Sequence, residues 1–346
     1  MRLLISGGGT GGHLMPALAV ALAFRAEEPQ AEVLLVGKAG GPEERLVPAA
    51  GFALRTVNIR GLNRDSLVKN LALPAVIPAA FREGGKIVDE FRPDVVLGVG
   101  GYAMAPSLWA AGRRGIPYVL AVFESGGLAN RLFRRGAAAA CVSFADDVEK
   151  FATPRTVLTG YPLRPGFVVV EPRVPPRRLL VIGGSQGARR LNETIWTALD
   201  GLLTRFEEVV HLTGEQGRVR SEELARPGYR PLAFSSDVPA LMAEADLVLC
   251  RGGVGTLAEV TAVGLPAIVV PGTFGGAHQV RNAERLIRVG AAAMIADDDL
   301  AVDRLLTALD SLDGDRLRAM AAASRALGRP NAARDMLAVV REVAEP

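Results

Sequence analysis

The chain has 346 residues, 49% of them hydrophobic, with a mean hydropathy of +0.23. That is apolar material for two α/β cores and too much for a disordered chain. Forty Lys and Arg against 37 Asp and Glu leave a net charge of +3, too small an excess to suggest nucleic acid as a partner. Two cysteines, Cys141 and Cys250, cannot build a disulfide framework; their apolar flanks predict buried thiols in a reducing compartment such as the cytosol.

The chain opens on a run of branched apolar residues, Arg2–Ser6, that predicts a buried strand. It has no charged leader with a cleavage site, and no apolar run reaches the roughly 18 residues of a membrane span, so membrane contact is expected to be peripheral. The strand feeds Gly7-Gly8-Gly9-Thr10-Gly11-Gly12-His13 and a helix predicted over Leu14–Arg25. Glycines here let backbone N–H groups approach a ligand, and a helix N-terminus favours phosphate. Gly7, Gly9 and Gly12 also fit G-x-G-x-x-G, but the second strand ends Leu35-Val36-Gly37-Lys38, without the acidic residue that holds a dinucleotide ribose. A tight turn without ligand is the remaining alternative. His13 argues for a ligand, because a helix N-terminus depresses an imidazole pKa and suits it to act as a neutral general base.

Further strands are predicted at Glu32–Gly37, Ala53–Val57, Val95–Gly98, Tyr118–Phe123, Ala140–Ser143 and Thr156–Thr159. Between the third and fourth, the segment Arg60–Arg92 gathers Leu67, Leu71, Leu73, Val76, Ile77 and Phe81 inside a rim of Arg60, Arg64, Lys69, Arg82 and Lys86. Pro74 and Pro78 predict a loop with short helical turns rather than one helix. An apolar patch with a basic rim suits an anionic membrane surface; burial in the core is the alternative. Gly160–Pro165, followed by the proline-rich Glu171–Pro176, marks a seam.

Beyond the seam the pattern restarts. Arg178–Ile182 leads into Gly183-Gly184-Ser185-Gln186-Gly187-Ala188, and strands are predicted at Val209–Thr213, Tyr229–Phe234, Leu247–Cys250, Ala267–Val270 and Ala292–Ile295. Strands this rich in Val, Ile and Leu are buried on both faces, as in a parallel sheet covered by helices. The repeat predicts two α/β domains with a cleft between them. In Cys250–Pro271 a buried strand opens through Gly252, Gly253 and Gly255 onto a helix start suited to a diphosphate. Glu259, one turn in, is spaced to reach a ribose diol; alternatively it is solvated or complements the helix dipole. Asp297-Asp298-Asp299 reads as a helix cap more readily than as a metal site, His211 reads as structural, and His278 as either solvated or assisting chemistry. Asn331 is the predicted cap of a last helix whose stripe is Met336, Leu337, Val340 and Val343.

Five blocks together, Gly7–His13, Gly98-Val99-Gly100-Gly101-Tyr102, Gly183–Arg189, Cys250–Pro271 and His278-Gln279-x-x-Asn282-Ala283, resemble the MurG family in order and spacing over essentially the whole chain. The resemblance implies a GT-B fold of two Rossmann-like domains: residues 1–163, binding the acceptor, with helix 331–346 packing back on them, and residues 164–330, binding the UDP-sugar. It implies inverting transfer of N-acetylglucosamine from UDP-N-acetylglucosamine to lipid I, giving lipid II, on the cytoplasmic face of the cell membrane. Carried over by position, His13 is the base; Thr10, Gly11 and Gly12 meet diphosphate and acceptor. Glu124 is among the substrate-binding residues. Arg164, Ser185 and Gln186 meet the donor's phosphates and sugar, Ser235 the uracil, and Glu259 the ribose. Gly255, Thr256 and Leu257 bind the α-phosphate, and Gln279 the sugar hydroxyls. With helix N-termini and Arg164 to stabilise the leaving diphosphate, no metal or other cofactor is expected. Where the family usually reads His-Glu-Gln-Asn-x-x-x-Gly-Leu-Ala-Asn-Arg, this chain has Phe123-Glu124-Ser125-Gly126-Gly127-Leu128-Ala129-Asn130-Arg131, three residues shorter, and Tyr161 stands where an asparagine usually precedes Pro162. The alternatives are a GT-B transferase with another lipid or small-molecule acceptor, and a UDP-sugar epimerase of the same fold.

Overall fold

The structure, a computed structural model, describes residues 1–9, 11–61, 73–124, 127–151, 153–184, 187–273 and 278–345. It divides into two compact units, Met1–Arg164 joined by the segment from Asn331 onward, and Pro165–Pro330. The first holds seven parallel strands: β1 (Arg2–Ser6), β2 (Glu32–Lys38), β3 (Ala53–Val57), β4 (Val95–Gly98), β5 (Tyr118–Val122), β6 (Ala139–Val142) and β7 (Thr156–Leu158). Their order is β3-β2-β1-β4-β5-β6-β7. The order reverses between β1 and β4, paired from Leu3↔Val95 to Ser6↔Gly98. Loops leaving the two strands in opposite directions open a crevice at their carboxyl ends. The turns after Ser6 and after Gly98 flank it.

The second unit repeats the plan with β8 (Arg178–Ile182), β9 (Glu208–Leu212), β10 (Tyr229–Leu232), β11 (Leu247–Cys250), β12 (Ala267–Val269) and β13 (Ala292–Met294), in the order β10-β9-β8-β11-β12-β13. Its reversal lies between β8 and β11, where Ile182 pairs with Cys250. The turns after those two residues are the glycine-rich segments of the second half. Leu3, Leu4, Val95–Leu97, Leu179, Leu180 and Leu247–Cys250 are buried on both sheet faces, as continuous branched strands require. Both thiols are buried, which pushes Cys141 and Cys250 up to about 12 and leaves them inert.

The final helix, Ala332–Ala344, buries Ala332, Met336, Leu337 and Val340 in the first unit. Arg341 fixes it to the first helix, Gly11–Glu27, through Glu27 at 2.7 Å and Glu28 at 2.9 Å. Asn331 precedes it but makes no side-chain capping bond.

Other expectations need correcting. Strand ends move by a residue or two; β10 stops at Leu232, so Phe234 leaves the ladder and stands 74% exposed. The first helix begins at Gly11, which puts His13 in its first turn. In the segment Arg60–Arg92, residues 62–72 lie outside the described residues, and Leu73–Phe91 is one helix of 19 residues rather than a loop with short turns. Pro74 occupies its first turn, where an N–H has no helical partner, and Pro78 removes a single bond on an exposed stretch. Ala80, Gly84, Gly85, Ile87 and Val88 then anchor the helix. A Cβ on Gly84 falls 2.5 Å from Cβ of Pro106, so the helix lies close against Met104–Arg113. Asp297–Asp299 forms a 3-10 turn and caps nothing: Asp297 is buried against the Arg251 guanidinium, and Asp298 meets Arg190 at 2.9 Å. Among the described residues no helix is long and apolar enough to cross a membrane.

Candidate active site

In the first unit the chain leaves β1 through Gly7, Gly8 and Gly9, whose φ angles are 148°, 131° and 89°. Only glycine sits comfortably there: a Cβ on Gly7 falls 2.5 Å from the Gly100 carbonyl oxygen. Gly7 N–H donates to Val36 at 3.0 Å and Gly8 N–H to Gly100 at 3.2 Å, tying the turn to β2 and to the turn after β4. Thr10 lies outside the described residues. Gly11 and Gly12 follow, exposed, at the helix start, and His13 is half-buried.

Burial lowers the His13 pKa from its ordinary value, partly offset by the charges of Glu124 and Glu43. Its ring rests on Gly100, where a Cβ falls 2.5 Å from Cδ2 and 2.7 Å from Nε2. Any other residue at position 100 displaces the imidazole. Pro16 lies four residues after Gly12 in the same helix and has no N–H for the Gly12 carbonyl. The Tyr161 hydroxyl supplies the missing donor at 2.9 Å. Tyr161 in turn packs edge-on against Phe123, ring centroids 4.8 Å apart. The two positions where this chain departs from the family's His and Asn therefore form one contact that steadies the start of the His13 helix. Glu124 follows Phe123, half-buried, as is Arg164 at the end of the unit.

Glu43 was not singled out by its sequence. It is the first residue of the helix Glu43–Ala49, it is buried, and it accepts a hydrogen bond from the Gly9 N–H. The signal that points to it is the turn Lys38-Ala39-Gly40-Gly41-Pro42, a second glycine turn leading a strand into a helix.

In the second unit, Ser185 and Gln186 lie outside the described residues. After β11 the helix Val254–Val263 starts from Gly253, leaving N–H groups of its first turn without helical partners. Gly255 and Thr256 are half-buried in that turn. Leu257 follows with its side chain buried and its N–H donating to the Gly253 carbonyl at 3.0 Å. Glu259 is half-buried one turn on, near enough to Cys250 for its charge to raise that thiol. Gln279 Oε1 accepts from Gly252 at 3.1 Å and from Gly272 at 2.8 Å, while Asn282 Nδ2 donates to the Gly252 carbonyl at 3.1 Å. The pair brackets Gly252 and fixes the glycine turn to β12's exit, a bond that nothing in the sequence around Asn282 marks out. Ser235 Oγ accepts from Asp237 N–H at 3.1 Å, and Asp237 caps the helix Val238–Glu244. His278 is joined to Arg281 at 2.8 Å.

His211 lies in the core. Asn192 Nδ2 donates to Thr213 O at 2.8 Å, so Asn192 Oδ1 faces His211 Nε2 at 3.1 Å and accepts its proton. Nδ1 is then the acceptor for the Tyr229 hydroxyl at 3.0 Å. Burial drives this imidazole down to about 3. Among the described residues no group of three or more His, Cys, Asp or Glu is arranged to hold a metal ion.

Comparison with known proteins extends the geometry. The sequence pattern of the glycosyltransferase family 28 N-terminal domain matches residues 3–141, and that of the family 28 C-terminal domain residues 178–336. The chain is 39% identical to a protein of Anaeromyxobacter dehalogenans, covering 99% of this chain and 93% of that one. It is also 39% identical to one of Syntrophotalea carbinolica, covering 99% of each. Both are UDP-N-acetylglucosamine–N-acetylmuramyl-(pentapeptide) pyrophosphoryl-undecaprenol N-acetylglucosamine transferases. The crystal structure of Acinetobacter baumannii MurG superposes with a TM-score of 0.80 at 27% identity, over 99% of both chains. A UDP-N-acetylglucosamine 2-epimerase from Listeria monocytogenes, at 15% identity and TM-score 0.72, shares the fold alone.

Proposed function

We infer the reaction from a premise those matches supply: the chain belongs to glycosyltransferase family 28, in its MurG family, and has the GT-B fold. It transfers N-acetylglucosamine from UDP-N-acetylglucosamine to the undecaprenyl-pyrophosphoryl N-acetylmuramyl-pentapeptide, lipid I, giving lipid II. The observation that carries this is full-length identity of 39% with relatives that bear one name for one reaction.

The chemistry follows from the groups present. An acceptor hydroxyl oxygen forms a bond to the anomeric carbon of the donor sugar, the bond from that carbon to the UDP phosphate oxygen breaks, and configuration inverts. His13 takes the hydroxyl proton, a task that needs it neutral, and burial favours the neutral ring. The departing diphosphate gathers negative charge, which the first-turn N–H groups of Gly255 and Thr256 and the Arg164 guanidinium stabilise, with Ser185 and Gln186 on phosphates and sugar. Gly11 and Gly12, with Thr10, meet the diphosphate and the acceptor, and Glu124, whose charge reaches His13, binds substrate. Glu259 takes the ribose diol, the backbone near Ser235 the uracil, and Gln279 the sugar hydroxyls through its amide N–H groups, its oxygen being taken up by Gly252 and Gly272. Leu257 serves by packing.

The acceptor is a lipid, and the enzyme reaches it by peripheral attachment to the cytoplasmic face of the membrane through the helix Leu73–Phe91. Ile77 and Trp109 are each 40% exposed, Phe81 packs edge-on against Trp109, Arg113 lies over the Trp109 ring, and Arg82 and Lys86 line the hollow beside Phe81 and Trp109 together with Asp89 and Glu90. Basic groups beside an apolar patch suit an anionic surface. Incubation with radiolabelled UDP-N-acetylglucosamine and a short-chain lipid I analogue should yield the labelled lipid-linked disaccharide. Donor hydrolysis or epimerisation in its place would overturn the assignment.

A further inference from the structure

We propose that Glu43 is a positioning residue for the transfer: its buried carboxylate fixes the glycine turn that seats the His13 imidazole and places a negative charge on that same turn. The residue is 1% exposed and occupies space that three glycines leave open. A Cβ on Gly8 or Gly41 falls 1.9 Å from a Glu43 carboxylate oxygen, and one on Gly37 falls 2.8 Å from its Cγ. These glycines come from the turn after β1, from β2 and from the turn after β2, so all three segments are shaped around this one side chain. Its Oε1 accepts from Gly9 N–H, Gly8 N–H donates to Gly100 O at 3.2 Å, and Gly100 lies against the imidazole. The path from carboxylate to His13 therefore runs through backbone that has no side chain to yield.

Stability does not account for the arrangement. Oε2 of Glu43 is buried and, among the described residues, has no hydrogen-bond partner. Burying a carboxylate this deeply costs free energy, and such groups gather at working sites. The charges facing His13 are those of Glu43 and Glu124, both of which raise its proton affinity against the effect of burial. Lys38 lies beside Gly9, its Cδ 4.0 Å from that residue's Cβ position, and the Tyr161 hydroxyl is engaged by Gly12. Burial keeps the imidazole neutral but weakens it as a base; a fixed negative charge restores basicity without touching substrate.

The inference rests on His13 being the base, and its test separates the two. In Glu43→Gln the side chain keeps its shape and an acceptor for Gly9 but loses its charge. The His13 titration midpoint, followed by NMR and assigned with His13→Ala, should fall by about half a unit to one unit. The acidic limb of kcat/KM should move with it, and kcat should fall roughly two- to tenfold while donor KM stays nearly constant. An unchanged His13 midpoint in folded Glu43→Gln overturns the proposal. The midpoint is read without turnover, so failure of the His13 assignment shows separately, as His13→Ala retaining its rate. Should Glu43→Gln not fold, Glu43→Asp carries the test: the charge remains but withdraws from Gly9, so kcat should fall with the midpoint nearly unmoved, and wild-type kcat there overturns the clamp.

Discussion

At the scale of single residues, the proposed reaction divides its work between His13 and Glu259. His13 has its pKa lowered by burial, so the neutral base predominates at pH 7 and is lost as pH falls through a value below the ordinary one near 6.5. Replacement by alanine should cut kcat by about 10²–10⁴-fold, with donor affinity nearly constant. Stopped-time product assays check this, and near-normal turnover would reduce His13 to a helix-start residue. Glu259→Ala should instead weaken UDP binding by about 1.5–3 kcal/mol, roughly tenfold to 150-fold, by removing charge-assisted bonds to the ribose. Calorimetry that finds wild-type UDP affinity removes Glu259 from the site. Both residues stood out in the sequence because glycine turns precede them. Glu43 did not: Gly40-Gly41 precedes it as well, but nothing local shows that this carboxylate, among the 37 acidic residues of the chain, is the one that is buried. Its burial depends on glycines from three segments meeting around it.

At the scale of elements, the helix Leu73–Phe91 carries the membrane reading. Its first two turns are largely exposed, whereas Phe81 is half-buried against Trp109. The change that tests attachment without disturbing packing is therefore Ile77→Glu. Binding of the wild-type protein to anionic vesicles should weaken as salt rises, since each basic group near the surface contributes about 1 kcal/mol that salt screens. Ile77→Glu should release the protein while UDP binding persists. Wild-type protein that ignores anionic vesicles at low salt sinks the assignment. The prolines misled the local reading of this segment: Pro74 and Pro78 predict interruption, but one falls where no N–H is used and the other on a solvated stretch. A Pro in the first helix shows the opposite economy. There the carbonyl freed by Pro16 is capped by Tyr161, 149 residues away in sequence.

For the whole molecule, the His211 network couples pH to the stability of the second unit. The folded imidazole titrates near 3 and the unfolded one near 6.5, so its contribution is complete above pH 6.5 and is lost as pH falls through that window toward 3. Over it, the group should add about 1.4 kcal/mol per pH unit to the decline in stability. Urea denaturation of wild type and His211→Gln between pH 6 and pH 4 should give a steeper decline in the former, though the variant is less stable at pH 7. Parallel declines would place the acid sensitivity elsewhere.

The sequence by itself determined the strand–turn–helix alternation, the repetition of that unit in two halves and the glycine turns at both sheet reversals. These are local patterns: continuous branched residues require burial on both faces, and a strand that turns sharply into a helix requires glycine. Motif order was enough to indicate the family, and the helix start after β11 could be read from Gly252–Glu259. Only the tertiary structure decided that Glu43 lies under the first turn, that Tyr161 and Phe123 compensate each other beside His13, and that Asp297 pairs with Arg251 rather than capping a helix. Each depends on which distant backbone atom is left without a partner or which distant charge must be buried. Those quantities exist only once the sheets have brought separate segments together.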